Sequence, residues 1–363
     1  MGIHWFILSA VAVLIIQWQL FKRLGMKKVH YSRNFNTTHC FEGDRIEMVE
    51  KLANHSMLPL PWLRVESQLH TGLRFDSEFN FDVSQGQFYQ NHKSLFSLMG
   101  YKQLTRRHTV QCVQRGCYRL TSASLTSGDL FGLHKAWMNV PLQEQLIVYP
   151  KPVDRSEIHL PSNSWQGDIS VKRWIVEDPF YITGVRDYQQ GDPLKAINWN
   201  ATARAGKLQV HQRDYTADYR LMVVLNVEDH AGMWDTVNDT ETIEQGIRYA
   251  AGIIQYASEQ GLEVGFAANG HDLDVPGRPV HVGTGSGHEH FMATLEQMSR
   301  LVIARAVPFD TLLEQMAEEL DARCDLLVVS AFMSDKINAV MERIRSEGHG
   351  AHWMPIDAAK GAA

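Results

Sequence analysis

The sequence predicts a mixed fold: one amino-terminal transmembrane helix, an all-β sandwich-like domain, and an α/β domain. Three observations carry this. Trp5–Phe21 is almost uninterrupted apolar sequence. Short β-type runs punctuated by Gly, Pro, Asn and Asp fill the next hundred or so residues, a spacing typical of sandwiches. Beyond Thr216, apolar strands alternate with amphipathic helices, as in a parallel sheet covered on both faces. The segments expected are 1–28 (anchor and basic collar), 29–150 (β-sandwich-like), 151–215 (connecting) and 216–358 (α/β).

The first element reads WFILSAVAVLIIQWQLF, interrupted only by Ser9, Gln17 and Gln19. As a helix it is about 26 Å long, just enough to cross hydrocarbon. Lys22, Arg23, Lys27, Lys28 and Arg33 follow at once, whereas no Lys or Arg precedes it. This asymmetry predicts a single-pass protein of the cell membrane with the bulk of the chain cytoplasmic. A cleaved signal peptide has the opposite charge order and a small-residue cleavage site. A buried helix of a soluble protein is the alternative.

In the β region, Arg45–Asn54 alternates in part, Leu58–Leu69 follows the turn-forming NHSM, and His108–Asp129 reads as two strands joined at Arg115-Gly116. Gln143–Pro150 closes the series. Pro59 and Pro61 suit a strand entry or edge, where a missing N–H costs nothing. In the α/β region, Arg220–Glu228, Leu262–Asn269, Cys324–Phe332 and Ala351–Ile356 read as strands. Thr242–Gly261, Glu289–Ala304, Phe309–Leu320 and Ser334–His349 read as helices.

Charge is unevenly distributed. There are 25 Lys/Arg against 18 Asp/Glu before Thr216, and 10 against 23 from Thr216 on. An acidic carboxyl half is a poor nucleic-acid surface, because phosphate contacts need clustered cations, so no nucleic-acid partner is expected. Four cysteines, Cys40, Cys112, Cys117 and Cys324, are too few for a disulfide scaffold and lack C-x-x-C spacing, which predicts reduced packed thiols.

The densest segment is GVRDYQQGDPLKAINWNATARAGKLQV, Gly184–Val210. ATARAGKL within it approaches a phosphate-binding loop, but Ala201 replaces the first glycine and Leu208 the hydroxyl that would hold magnesium. The other reading is a turn at Gly191 followed by a short helix, with Asp192 at the N-cap, Pro193 at N1 and Gly206 beyond the end. On this reading Trp199 seals a junction and the segment is a structural clasp between the domains.

The same segment closely resembles the signature of the domain of unknown function 58 family. Gly184, Arg186, Tyr188, Gly191, Asp192, Ile197, Trp199, Thr202, Ala203, Arg204, Gly206 and Leu208 fall on its pattern. Phe41–Val65 and Arg115–Leu133 resemble the family's β-domain opening and its D-x-F-G-L turn. The resemblance implies a membrane-anchored protein whose carboxyl half is a von Willebrand factor A-like, Rossmann-like domain. It also implies a non-enzymatic scaffold or adaptor, often beside MoxR-type AAA ATPases and transglutaminase-like membrane proteins.

A metal-binding von Willebrand A domain carries D-x-S-x-S after its first strand, because magnesium demands hard oxygens. Here that place reads NVEDH: Asn226 for Asp, Glu228 for the first Ser and His230 for the second. Asn226, Glu228, Asp229 and His230 are thus a degenerate metal or partner site at the carboxyl end of a strand, where ligands of such sheets bind. No cofactor is expected. The rival reading is a metal-dependent ligand binder or enzyme using Glu228 and Asp229 with Ser330 or Asp335. His288 and His290 form an H-x-H that fits a solvated loop or, alternatively, a metal. No G-x-S-x-G or H-E-x-x-H motif anchors hydrolase chemistry. Oligomeric state is left open.

Overall fold

The computed structural model describes residues 2–24, 26–75, 81–85, 89–129, 135–154, 177–188, 197–215, 220–233, 237–320 and 324–356. Together they form a β-rich, mixed α/β protein with one apolar amino-terminal helix. The chain divides into two compact units: Met1–Lys151 with Met298–Arg300, and Pro152–Gln297 with Leu301–Ala363.

In the first unit, α1 (Gly2–Leu24) contains the 21-residue stretch Ile3–Arg23, long and apolar enough to cross a membrane. At the standard rise that stretch measures about 31 Å. Ile3, Trp5, Phe6, Ile7 and Leu8 are all exposed.

Among the described residues, the ten strands that follow form two sheets. The first is ordered β1 (Val29–Phe35), β3 (Arg45–Asn54), β8 (Gln103–Cys112), β5 (Leu73–Phe75). The second is ordered β2 (His39–Phe41), β10 (Lys135–Tyr149), β9 (Gly116–Gly128), β4 (Leu60–His70), β7 (Tyr89–Leu98), β6 (Phe81–Gln85). β3 and β7 alternate buried and outward residues, so each sheet buries one face. Leu52 of the first sheet and Leu63, Val65, Phe96 and Leu125 of the second share one core cluster. All four cysteines are free, and Cys40 donates to Cys112 Sγ at 3.3 Å.

The sandwich also buries charge. Arg33 donates to Glu50 at 2.9 Å and to Ser67 Oγ, and Tyr31 donates to Glu50 at 2.6 Å. His108 lies 3.5 Å from the same carboxylate. Burial opposes ionisation of Glu50, but the His108 hydrogen bond, the Arg33 charge and the Tyr31 hydroxyl outweigh it and hold its pKa at about 2.

In the second unit, β11 (Glu177–Asp187) and β12 (Gln209–Tyr215) pair antiparallel, with the short helix α2 (Trp199–Ala205) between them. The main sheet is ordered β15 (Val275–Gly285), β14 (Glu263–Asp272), β13 (Arg220–Leu225), β17 (Cys324–Ser330), β18 (Ala351–Pro355). β14, β13, β17 and β18 are parallel, and β15 joins β14 antiparallel. α5 (Phe309–Glu319) and α6 (Asp335–Ser346) supply Leu312, Leu313, Val340 and Ile344 to a cluster with Met222, Val224, Leu326 and Val328. The alternate residues of β13 face α3 (Thr240–Glu259). There a Cβ on Gly246 would lie 3.1 Å from Leu225 Cδ1 and 2.5 Å from Ile356 Cδ1, so a larger residue would push the tips of these side chains aside.

Three sequence expectations need correction. Leu301–Arg305 does not continue the helix α4 (His288–Arg300); it is a strand, β16, paired antiparallel with β14. The solvated loop expected at His288 and His290 is instead the first turn of α4, directly after β15 ends at Gly285. The helix expected from Asp192 starts later: Asn198 is its N-cap, because Ile197 is held in a bridge to Val210. Asp192 and Pro193 lie outside the described residues.

Candidate functional site

The resemblance-bearing segment separates into residues that build the turn and residues that face solvent. Arg186 and Asp187 pair with Val210 and Gln209 in the β11–β12 ladder, Gly184 pairs with Gln212, and Tyr188 N donates to Leu208 O at 3.0 Å. Ile197 and Val210 are both buried across their bridge. Asn198 Oδ1 accepts from Ala201 N at 2.9 Å, satisfying one orphan donor of the first helical turn. Gly206 ends the helix at φ +66° and donates to Thr202 O, while Thr202 Oγ1 accepts from Gln209 N at 2.9 Å and so turns the chain into β12.

The outward set differs. α2 has no buried residue, and Ala203 and Arg204 are exposed. Trp199 is 67% exposed, and Leu208 and Val185 are exposed as well. The expectation that Trp199 seals a junction is therefore corrected: its indole packs into no core. Gly191 lies outside the described residues, as does Asp192.

At the carboxyl ends of β13, β14 and β17 the structure gathers Asn226, Glu228, Asp229, Asn269 and Ser330. Asn226 is fully buried; its Nδ2 donates to Ser330 Oγ at 3.0 Å and its Oδ1 accepts from Glu228 N at 3.0 Å. Asn269, also fully buried, accepts from Val227 N at 2.8 Å and donates to Glu228 Oε1 at 3.2 Å. The same Oε1 accepts from Phe309 N at 3.1 Å. Pro308, the N-cap of α5, makes no side-chain cap bond, so Glu228 caps that helix from another loop. Burial pushes the Glu228 carboxyl up, opposed by the Phe309 N–H, by Arg305 and by Asn269.

Asp229 turns the other way. Its Oδ2 accepts from Asn238 N at 2.6 Å and Asp239 N at 3.0 Å, and its Oδ1 meets His230 Nδ1 at 2.5 Å. Burial works against ionisation, but these donors together hold the Asp229 carboxyl below the usual range. The Asp229 side chain is 7% exposed and that of His230 53%. The oxygens a cation would need from Asn226 and Asp229 thus already accept protein N–H groups. Among the described residues no cluster of three or more His, Cys, Asp or Glu is arranged to hold a metal. Ser330 joins the cluster, whereas Asp335 opens α6.

His290 Nε2 lies 2.7 Å from Val264 O, so it fixes α4 to the sheet instead of projecting beside His288 into a loop. Asn269 is the central residue that the sequence reading missed. Its signal was a polar residue closing the apolar run LEVGFAAN.

The family comparison falls on the segment where the sequence resemblance lies. Residues 184–352 match the family described as protein of unknown function DUF58. That DUF58 match begins at the first glycine of the signature and runs into β18. A relative in Bacillus subtilis (strain 168), described as uncharacterized protein YeaD, is 21% identical over 319 residues, 88% of this chain and 73% of that one. Among solved structures, a non-cellulosomal cohesin from Archaeoglobus fulgidus aligns with 36% of this chain and 95% of its own at 13% identity and a TM-score of 0.22. A cohesin module from a family 33 glycoside hydrolase of Clostridium perfringens covers 31% and 97% at 9% identity and a TM-score of 0.20. Scores this low say nothing about activity.

Proposed function

We propose that this chain is a membrane-anchored, non-enzymatic scaffold whose second unit is a von Willebrand A-like domain. Its partner is a MoxR-type AAA ATPase in an envelope-related process. The sheet order, with an antiparallel edge strand β15 and a reversal of strand order at β13, supports the fold reading. The apolar α1 with its basic carboxyl end supports a single pass with the folded units in the cytoplasm.

The observation that carries the scaffold reading is how polar groups are used. At the switch point of the sheet, Asn226, Glu228, Asp229 and Asn269 are tied to one another, to backbone N–H groups and to the start of α5. The signature helix instead leaves a tryptophan and an arginine in solvent. Tryptophan and arginine are the residue types enriched where protein partners bind. The contact surface is therefore drawn from the exposed Trp199, Arg204 and Leu208, while the rim at Asn226–His230 is held by its own hydrogen bonds. Crosslinking in cells with Trp199→Ala and Arg204→Glu tests it. Loss of the ATPase from both variants, with wild-type amounts of membrane-bound protein, is expected. Retention in both sinks the assignment.

A further inference from the structure

A second candidate site lies on the outward face of the six-stranded sheet. β4 pairs with β9 only from Trp62↔Gly128 to Glu66↔Ser124, although it continues against β7 as far as His70↔Tyr89. Beyond Ser124, β9 carries two consecutive exposed residues, Thr121 and Ser122, and its register with β10 slips between Pro141 and Glu144. The two central strands therefore part, and a cleft of ≈ 380 Å³ opens between them. That size is at the lower end of small-molecule sites, roughly 300–1,000 Å³.

The lining has a specific chemistry. It combines the amides of Gln68 and Asn91, the hydroxyls of Ser67, Thr121, Ser122 and Ser124, and the cross-strand neighbours Glu66 and Lys93, with no large apolar side chain. Hydroxyls and amides both donate and accept. The lining holds one acid and one base, with Glu66 meeting Arg64 at 3.5 Å, so neither sign of charge dominates the cleft, and a lipid or flat aromatic ligand finds no large apolar side chain there. What matches is a neutral ligand dense in groups that donate and accept together. The floor is fixed: Ser67 is buried, and its Oγ accepts from the fully buried Arg33, itself paired with Glu50.

An aromatic platform stands on the same face. Trp137 of β10 is 77% exposed and sits in the row Trp137↔Thr126↔Arg64, one outward step along the strands from the row Asn139↔Ser124↔Glu66. Two residues along a strand is about 7 Å, the reach of an adjoining ring of a chain-like ligand. A rigid indole face suits the C–H face of a pyranose. We propose that this cleft and Trp137 together bind a neutral hexose-based oligosaccharide.

The test is calorimetric titration of the full chain, held in a detergent without a sugar headgroup, with maltotetraose, cellotetraose and chitotetraose. At least one should bind saturably at up to millimolar concentration. Affinity should drop about tenfold or more in Gln68→Ala/Asn91→Ala, the loss expected for about 1.4 kcal/mol of hydrogen bonding. Trp137→Ala should weaken it as well. Ser122→Tyr, which fills the cleft from its exposed position on β9, is the second route to the same loss should the double variant not fold. Silence with all three sugars overturns the proposal. So does binding that the cleft variants leave unchanged, or saturation by inorganic phosphate in their place.

Discussion

Glu228→Ala is the most informative perturbation of the α/β unit. The carboxylate accepts from Phe309 N, the first residue of a helix whose Pro308 N-cap contributes no side chain, and from the fully buried Asn269. Removing a cap costs about 1 kcal/mol. Stranding a buried donor costs about 1–3 kcal/mol, at the low end here because Asn269 Nδ2 also reaches Val307 O at 3.4 Å. The sum is about 2 kcal/mol, roughly a thirtyfold rise in the local opening constant at tenfold per 1.4 kcal/mol. Hydrogen exchange of the first turn of α5, read by mass spectrometry, measures it. Glu228→Gln keeps the acceptor and should protect α5 nearly as wild type does. The pH dependence has a definite sign. The folded Glu228 carboxyl titrates above its unfolded value, so the stability linked to its protonation, separate from its role as acceptor, is full below about pH 4.3 and is lost as pH rises through the folded value. Glu228→Gln removes that slope. Unchanged exchange in Glu228→Ala would refute the capping role and return the carboxylate to the pool of groups free to bind a ligand.

Other predictions follow from burial. Trp199→Ala should change the unfolding free energy by no more than about 0.5 kcal/mol, since an exposed side chain loses little on truncation; a core-sized loss in chemical denaturation would show that the indole is packed. Glu50→Gln should destabilise the sandwich by about 3–5 kcal/mol, because it leaves Arg33 buried without its counter-charge. With the wild-type Glu50 carboxyl held at about 2, that contribution is present above its unfolded value and is lost as pH falls from about 4.3 toward 2. An acid unfolding curve identical in Glu50→Gln and wild type would contradict it.

The legible parts of the fold are those where one physical signal dominates. β3 is read with its bounds intact because its alternation is carried by a half-buried strand, and RLMVVL declares a strand buried on both faces. β16 was hidden because LVIAR directly continues an amphipathic helix, and only pairing with β14 distinguishes it. β15 was hidden by glycines and prolines that normally mark loops but here lie in an edge strand. In the signature, Asp192-Pro193 is a good local start for a helix. The start at Asn198 depends on Ile197 meeting Val210, a contact between residues 13 apart. Trp199 illustrates the limit of composition. On a seven-residue helix with no buried face, hydrophobicity does not say whether an indole is core or contact surface. At the rim, the sequence placed Asn226, Glu228 and Asp229 together, but their partners, Asn269 and the Phe309 N–H, come from distant elements.

The measurement that bears most directly on the scaffold reading is crosslinking of the full-length protein in cells, solubilisation, and identification of what is recovered with it. An AAA ATPase recovered with wild type and with Glu228→Gln, but lost with Trp199→Ala, is the predicted result. An ATPase retained by Trp199→Ala and lost with Glu228→Gln, or no ATPase at all, would contradict the account.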